Sequence, residues 1–342
     1  MRRCLKIASF GRNEVQSNPL VGSVITYRQR IIGEGWHKQY GGPHAEREAL
    51  AAISKEDRKH LPQSHLYVSL EPCNHFGKTP PCVDAILEAK IPKVSIAQLD
   101  PNSKMYGKSV EKLRAKGVKV NIHDLSEASA SVLAPFEVHQ KDQRPYVLLK
   151  YAVSKDGYLG QEGKQVWLTN NLSKISVHLS RSQVDGIMIG TNTAIVDNPK
   201  LTTRLVDGQN PMRIVLDRKE RIPKDSHLLN DEHPTLILTS FKNYKVDRLR
   251  RVIFLKEEEF RLPAILKKLM GQGINSLMVE GGKQLLTALI KEDLWDECHL
   301  YKTDRVLATG IKAPTLKGKL QKKVALNENN LLIISNLHKT KI

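Results

Sequence analysis

No apolar run in this 342-residue chain reaches the roughly 18 to 20 residues that a membrane-spanning helix needs, so no helical span is predicted. Cysteine is scarce as well. Four residues, Cys4, Cys73, Cys82 and Cys298, are too few and too scattered for a disulfide-stapled fold. The basic N-terminus, Met1 to Lys6, lacks the apolar core and small-residue cleavage site of a signal peptide, and a cytoplasmic enzyme is the expectation. Acidic residues are outnumbered, 36 against 54 basic, for a net charge of +18. The charge is spread along the chain; only the last stretch, with Lys317, Lys319, Lys322, Lys323, Lys339 and Lys341, is lysine-rich. No aromatic residues alternate with those lysines for base stacking. A solvated basic surface, or a field that steers phosphorylated small molecules, fits better than a nucleic-acid-binding arm.

What is present suits globular structure: 40% of residues are apolar, and the length favours two domains. The first half alternates strand and helix signals. Residues 21–27 and a run from Ile31 are β-rich across a polar Arg28-Gln29-Arg30 turn. A helix is predicted from about His44 to Ile53, a short buried strand at 65–70, and a second helix opening at Pro80-Pro81. Strands follow at 93–97 and 118–122 with a basic helix between. This is a layered α/β domain. Residues 127–144 are polar and weakly patterned, and read as a connection between domains. Beyond them 145–151, 186–190, 213–217, 235–239 and 276–279 are strand candidates, so the boundary is set near residue 143: 1–143 and 144–342.

The strongest chemical signal is Pro43-His44-Ala45-Glu46, followed by Glu71-Pro72-Cys73 and, after an eight-residue insert, Cys82. One imidazole and two thiolates give zinc three protein ligands and leave its fourth position open, as a catalytic site requires. His44 and Cys82 both fall at predicted helix N-termini, where the dipole favours thiolate. Glu46, two residues from His44, can serve as a proton shuttle without being a ligand. That is the chemistry of hydrolytic deamination: metal-activated water attacks the ring carbon bearing the amino group, and the carboxylate moves the protons. The bland alternatives are a structural zinc knuckle or unrelated core residues. His37 and His75 are candidate pocket-lining residues, and His65 a strand residue.

The second half is less telling. Val279-Glu280-Gly281-Gly282 follows a strand and opens a helix, an arrangement whose backbone N–H groups can hold a phosphate. Asp197-Asn198-Pro199 is a turn with a carboxylate on a cleft, and Arg181 and Arg204 offer positive charge suited to phosphate. There is no Gly-x-Gly-x-x-Gly fingerprint in this half. These residues alone support a phosphate-binding α/β domain and no more.

The segment 69–82, with its long insert between cysteines, resembles the deaminase motif of the bifunctional diaminohydroxyphosphoribosylaminopyrimidine deaminase and aminophosphoribosyl-uracil reductase family. Ser17 to Gly22, Gly33 to His37 and Asp100-Pro101-Asn102 fit the same family. In the second half, 144–150, 154–157, 167–169, 190–193 and 197–204 look like its reductase blocks, in order. The resemblance implies a cytidine-deaminase-like domain joined to a dihydrofolate-reductase-like α/β domain. It implies zinc on His44, Cys73 and Cys82, with Glu46 as proton shuttle, and Lys78 near the substrate phosphate. It implies NADPH contacts at Ala152, Trp167, Thr193, Asp197, Gly281 and Gly282, and substrate contacts at Arg181, Leu201, Arg204 and Glu280. The reactions implied are deamination of a phosphorylated ribosylaminopyrimidinone, then reduction of its ribosyl group to ribityl. Asn74 and Phe76 depart from the Ser and second His of many members, and Lys155 and Asn198 depart from Leu and Asp. Small phosphorylated pyrimidines, not nucleic acid or membranes, are the expected partners of a homo-oligomer.

Overall fold

The structure, a computed structural model, describes every residue except 13, 16–17, 78, 103–104, 124–125 and 338–342, and only the backbone of 126–128 and 130–131. Ser17, Lys78, Lys339 and Lys341, singled out above, therefore lie outside the described residues. The chain divides into two compact units, Met1–Gln143 and Arg144–Ile342.

The first unit runs α1 (Arg2–Ala8), β1 (Gly22–Tyr27), β2 (Arg30–Trp36), α2 (Ala45–Ala51), β3 (His65–Val68), α3 (Cys82–Glu88), β4 (Lys93–Ile96), α4 (Lys108–Ala115), β5 (Lys119–Ile122) and α5 (Ser126–Asp142). The sheet order is β2-β1-β3-β4-β5. β1 and β2 form an antiparallel hairpin whose two turn residues, Arg28 and Gln29, both have positive φ, the twist that matches a two-residue hairpin turn. β3, β4 and β5 are parallel. Ile25, Leu66, Val68, Val94 and Ile96 of the sheet and Val83 and Ile86 of α3 share one buried core. Two glycines bring α2 onto β2. A Cβ on Gly33 would lie 2.4 Å from the Ala49 carbonyl oxygen, and one on Gly35 2.4 Å from the Ala49 nitrogen. Most of the 127–144 stretch expected to be a connection is instead a helix of this unit, Ser126–Asp142. Val132 packs with Ala8, Val15 and Leu20, and Leu133 is fully buried, so tertiary packing holds a segment whose own periodicity is faint.

The second unit carries a nine-stranded sheet. Its elements are β6 (Tyr146–Val153), β7 (Tyr158–Gly160), α6 (Asn171–Arg181), β8 (Gly186–Gly190), α7 (Thr191–Asp197), β9 (Met212–Leu216), α8 (His227–Asn230), β10 (Thr235–Thr239), β11 (Arg250–Phe254), α9 (Leu262–Met270), β12 (Ser276–Glu280), α10 (Lys283–Lys291), β13 (Glu297–Lys302), β14 (Ile311–Lys312), β15 (Gly318–Leu326) and β16 (Asn329–Asn336). The order is β11-β10-β9-β8-β12-β6-β13-β16-β15, parallel as far as β13 and antiparallel beyond. Strands buried on both faces explain the near-continuous apolar runs. Along β6, Val147, Leu149, Tyr151 and Val153 enter one core, and Leu148 and Ala152 the other. This is a mixed α/β layer fold.

Candidate functional site

Three donor atoms converge in the first unit. His44 Nδ1 lies 3.3 Å from Cys73 Sγ and 3.4 Å from Cys82 Sγ, and among the described residues this trio is the cluster spaced to hold a metal. Bond lengths of about 2.0 and 2.3 Å in a tetrahedral zinc site put N and S roughly 3.5 Å apart, so the donor set fits zinc. The fold explains the placement. His44 is the extended residue capping α2, Cys73 follows the carboxyl end of β3, and Cys82 opens α3 after Pro81. The Cys82 backbone N–H donates to Cys73 Sγ at 3.2 Å. Hydrogen bonds from Cys82 and His44 pull the Cys73 thiol far below its ordinary range, while Cys82 is pushed up beside it.

Glu46 follows in the first turn of α2, only 3% exposed. Its carboxyl shares a hydrogen bond with Cys82, and burial, reinforced by neighbouring Cys73, pushes it up to about 7. Glu46, His44 and Cys73 border a cavity of about 330 Å³, which His37 and His75 also line, while Cys82 is fully buried behind them. His37 is fixed in one neutral tautomer, since Nδ1–H donates to the Pro43 carbonyl and Nε2 accepts from the Asn18 amide. Burial lowers its pKa, against the opposing pull of the Pro43 carbonyl. His65 stays on β3, bonded to Ser95 and away from the cavity.

Glu71 was overlooked in the sequence as more than a motif letter. Its carboxylate accepts three backbone N–H groups, from Asp100 (3.2 Å), Gly107 (2.9 Å) and Ser109 (3.0 Å), tying the 100–109 loop to the Cys73 strand end. An acid between an apolar strand and a proline–cysteine pair is the signal the sequence offers. Asn74 accepts from Lys112, which also pairs with Asp84. Phe76 is 79% exposed.

In the second unit the structure brings together Glu280 at the carboxyl end of β12, Arg181 at the end of α6 and Lys150 in the middle of β6. Arg181 donates through Nε (2.7 Å) and Nη2 (3.0 Å) to Glu280 and through Nη1 to the Thr202 carbonyl, and Lys150 reaches Glu280 at 3.3 Å. Burial opposes ionisation of Glu280, but the two cations outweigh it and hold the carboxyl at about 2. Arg181 is therefore matched to Glu280 and does not present a bare charge to phosphate. Lys150 is a functional residue that carries only a weak sequence signal, a lone lysine among Leu148, Leu149 and Tyr151. Asp197 ends α7, its carboxyl raised by burial against the pull of Lys150. The Arg204 backbone N–H donates to His178 Nδ1 at 3.0 Å.

Gly282 N–H donates to Thr193 Oγ1 at 3.0 Å, and a Cβ on Gly282 would crowd that oxygen at 3.3 Å. A side-chain-free backbone at the start of α10 suits close approach of a dinucleotide phosphate. Leu201 is buried with positive φ, and Ala152 packs in the same core. Trp167 stands apart, 57% exposed, its carbonyl accepting from Arg305 and its ring under Lys174.

Known proteins match both units. Residues 1–98 fit the cytidine and deoxycytidylate deaminase zinc-binding region, and residues 145–335 fit the RibD C-terminal domain. The riboflavin biosynthesis protein RibD of Aquifex aeolicus is 37% identical over 91% of this chain and 88% of its own. That of Bacillus amyloliquefaciens is 35% identical over 92% and 86%. A crystal structure of the Thermotoga maritima diaminohydroxyphosphoribosylaminopyrimidine deaminase/5-amino-6-(5-phosphoribosylamino)uracil reductase superposes with a TM-score of 0.89. It covers 98% of this chain and 97% of that one at 31% identity.

Proposed function

The chain belongs to the RibD family of bifunctional riboflavin biosynthesis enzymes, and from that premise we propose how its residues divide the work. It is a zinc-dependent deaminase and an NADPH-dependent reductase. We assign deamination to residues 1–143 and reduction to 144–342. The substrate of the first site is a phosphorylated ribosylamino-diaminopyrimidinone, and its deaminated product is the substrate of the second.

The observation that carries the deaminase reading is the convergence of His44, Cys73 and Cys82 beside a cavity that His44, Cys73 and buried Glu46 line. His44, Cys73 and Cys82 would hold zinc, which when bound supplies the Lewis acidity that activates water near neutral pH. Glu46, with a carboxyl pushed up to about 7, accepts one proton from the attacking water and passes it to the ring nitrogen, then carries the second, from the resulting hydroxyl, to the amino group that leaves as ammonia. His37, neutral and locked, presents no competing charge.

In the reductase, NADPH supplies the hydride. Gly281, Gly282 and Thr193 would hold its phosphates, with Ala152, Trp167 and Asp197 completing the cofactor contacts. Glu280, Arg181, Leu201 and Arg204 would hold the substrate, with Arg181 acting through its fixed pair with Glu280. No helix among the described residues is long and apolar enough to cross a membrane. Two metal-binding thiols suit a reducing cytoplasm. We place the enzyme there, as a homo-oligomer acting on small molecules rather than nucleic acid.

The test is an assay of the full chain with each phosphorylated substrate, with and without a zinc chelator. Chelation should stop ammonia release and spare NADPH oxidation with the deaminated substrate. Ammonia release that survives complete zinc removal sinks the assignment.

A further inference from the structure

The helix α5 supplies none of the metal donors, yet Phe136 and Gln140 line the cavity that holds Glu46. They lie four residues apart, one above the other on a single helix face. Both are half-buried, and the Gln140 side chain has no hydrogen-bond partner among the described residues. The helix is anchored to the metal loop through one residue. The Gln98 side chain donates to the Glu137 carboxylate and accepts from Ser129 Oγ at 2.8 Å, while its carbonyl accepts the Glu71 N–H at 2.8 Å. One turn before Phe136, Val132 packs with Ala8, Val15 and Leu20. The Phe136–Gln140 face is thus held in register with the strand end that carries Cys73.

Resting on the deaminase reading above, we propose that α5 is the wall of the site that recognises the pyrimidine. Phe136 packs against the face of the flat ring, and the Gln140 amide bonds its polar edge. A cavity of about 330 Å³ is at the small end of ligand pockets, the size for one flat ring with its sugar. An aromatic wall gives such a ring both apolar area and offset stacking. A primary amide offers one acceptor and a pair of donors in one plane, which complements adjacent amino and oxo groups. The Asn18 Nδ2 group on the same cavity is already committed to His37. An unpaired amide and an aromatic ring, set one turn apart, are the combination that a polar heterocycle satisfies.

Steady-state ammonia release by the full-length protein tests this, with zinc content and reductase kinetics measured in parallel. Phe136→Ala and Gln140→Leu should each raise KM for the phosphorylated diaminopyrimidinone about tenfold. Their kcat should stay within threefold, with one zinc retained and NADPH oxidation unchanged. Phe136→Leu keeps apolar bulk without the ring, so it covers the case in which alanine loosens the helix; it should still raise KM about threefold. Unchanged KM in Phe136→Leu and Gln140→Leu overturns the inference. So does a loss of kcat and zinc together in both, which would make α5 a structural support alone. Wild-type protein that neither binds zinc nor releases ammonia would fail the deaminase reading itself, and the inference with it. Active wild type with indifferent variants fails only the inference.

Discussion

Replacing Glu280 with glutamine is the sharpest way to probe the second site's electrostatics. The carboxylate accepts two bonds from Arg181 and one from Lys150, with side-chain exposures of 14%, 10% and 17%. Glutamine preserves shape and one acceptor but presents an NH₂ group to a guanidinium and leaves two half-sequestered cations facing each other. Breaking a buried pair from one side costs about 3–5 kcal/mol. Partial exposure places this case near 3 kcal/mol, roughly 150-fold in the folding equilibrium. Urea unfolding can isolate the effect. The chain has three tryptophans, and in a Trp36→Phe, Trp167→Phe background the signal comes from Trp295, which is buried in the second unit's core. The midpoint for Glu280→Gln should fall by that amount, with zinc binding and ammonia release intact. A change under about 0.5 kcal/mol would refute the claim that the carboxylate neutralises both cations.

Three further outcomes follow from the geometry. Glu46→Gln should cut deamination about 10²- to 10⁴-fold while zinc content and reductase rate persist, read by ammonia release and metal analysis. Burial, then Arg181 and Arg204, hold the His178 imidazole down at about 4, so the folded state takes up its proton later than the unfolded state does as pH falls. The stability of the second unit should therefore be level above about pH 6.5 and decline between about 6.5 and 4, a slope that His178→Asn flattens in urea melts. Gly35→Ala would set a Cβ 2.4 Å from the Ala49 nitrogen and 2.5 Å from Glu48 Cβ. It should destabilise the first unit by about 3 kcal/mol and lower zinc retention, with reductase activity unchanged.

The metal cluster was legible in the sequence because its chemistry admits few residue types and their spacing is uncommon. The parallel strands were legible because burial on both faces leaves apolar runs such as Val147-Leu148-Leu149. Other features depended on contacts between residues distant in the chain. β15 is largely exposed and rich in lysine, and pairing with β16 rather than any pattern of its own makes it a strand. α5 was missed because its helicity rests on packing against α1 and the Gln98 bonds. The Lys150–Glu280–Arg181 cluster joins residues 99 and 130 positions apart, which no local spacing reveals. Phe136 and Gln140 stood outside every motif, so their place on the cavity was invisible until the helix was.

X-ray absorption at the zinc edge of the purified full-length protein addresses the first site most directly. Two sulfurs at about 2.3 Å and one imidazole nitrogen at about 2.0 Å, with the rest of the shell oxygen, is the result that His44, Cys73 and Cys82 require. A shell with fewer than two sulfurs, or one closed by four nitrogen and sulfur ligands from the protein, would contradict it.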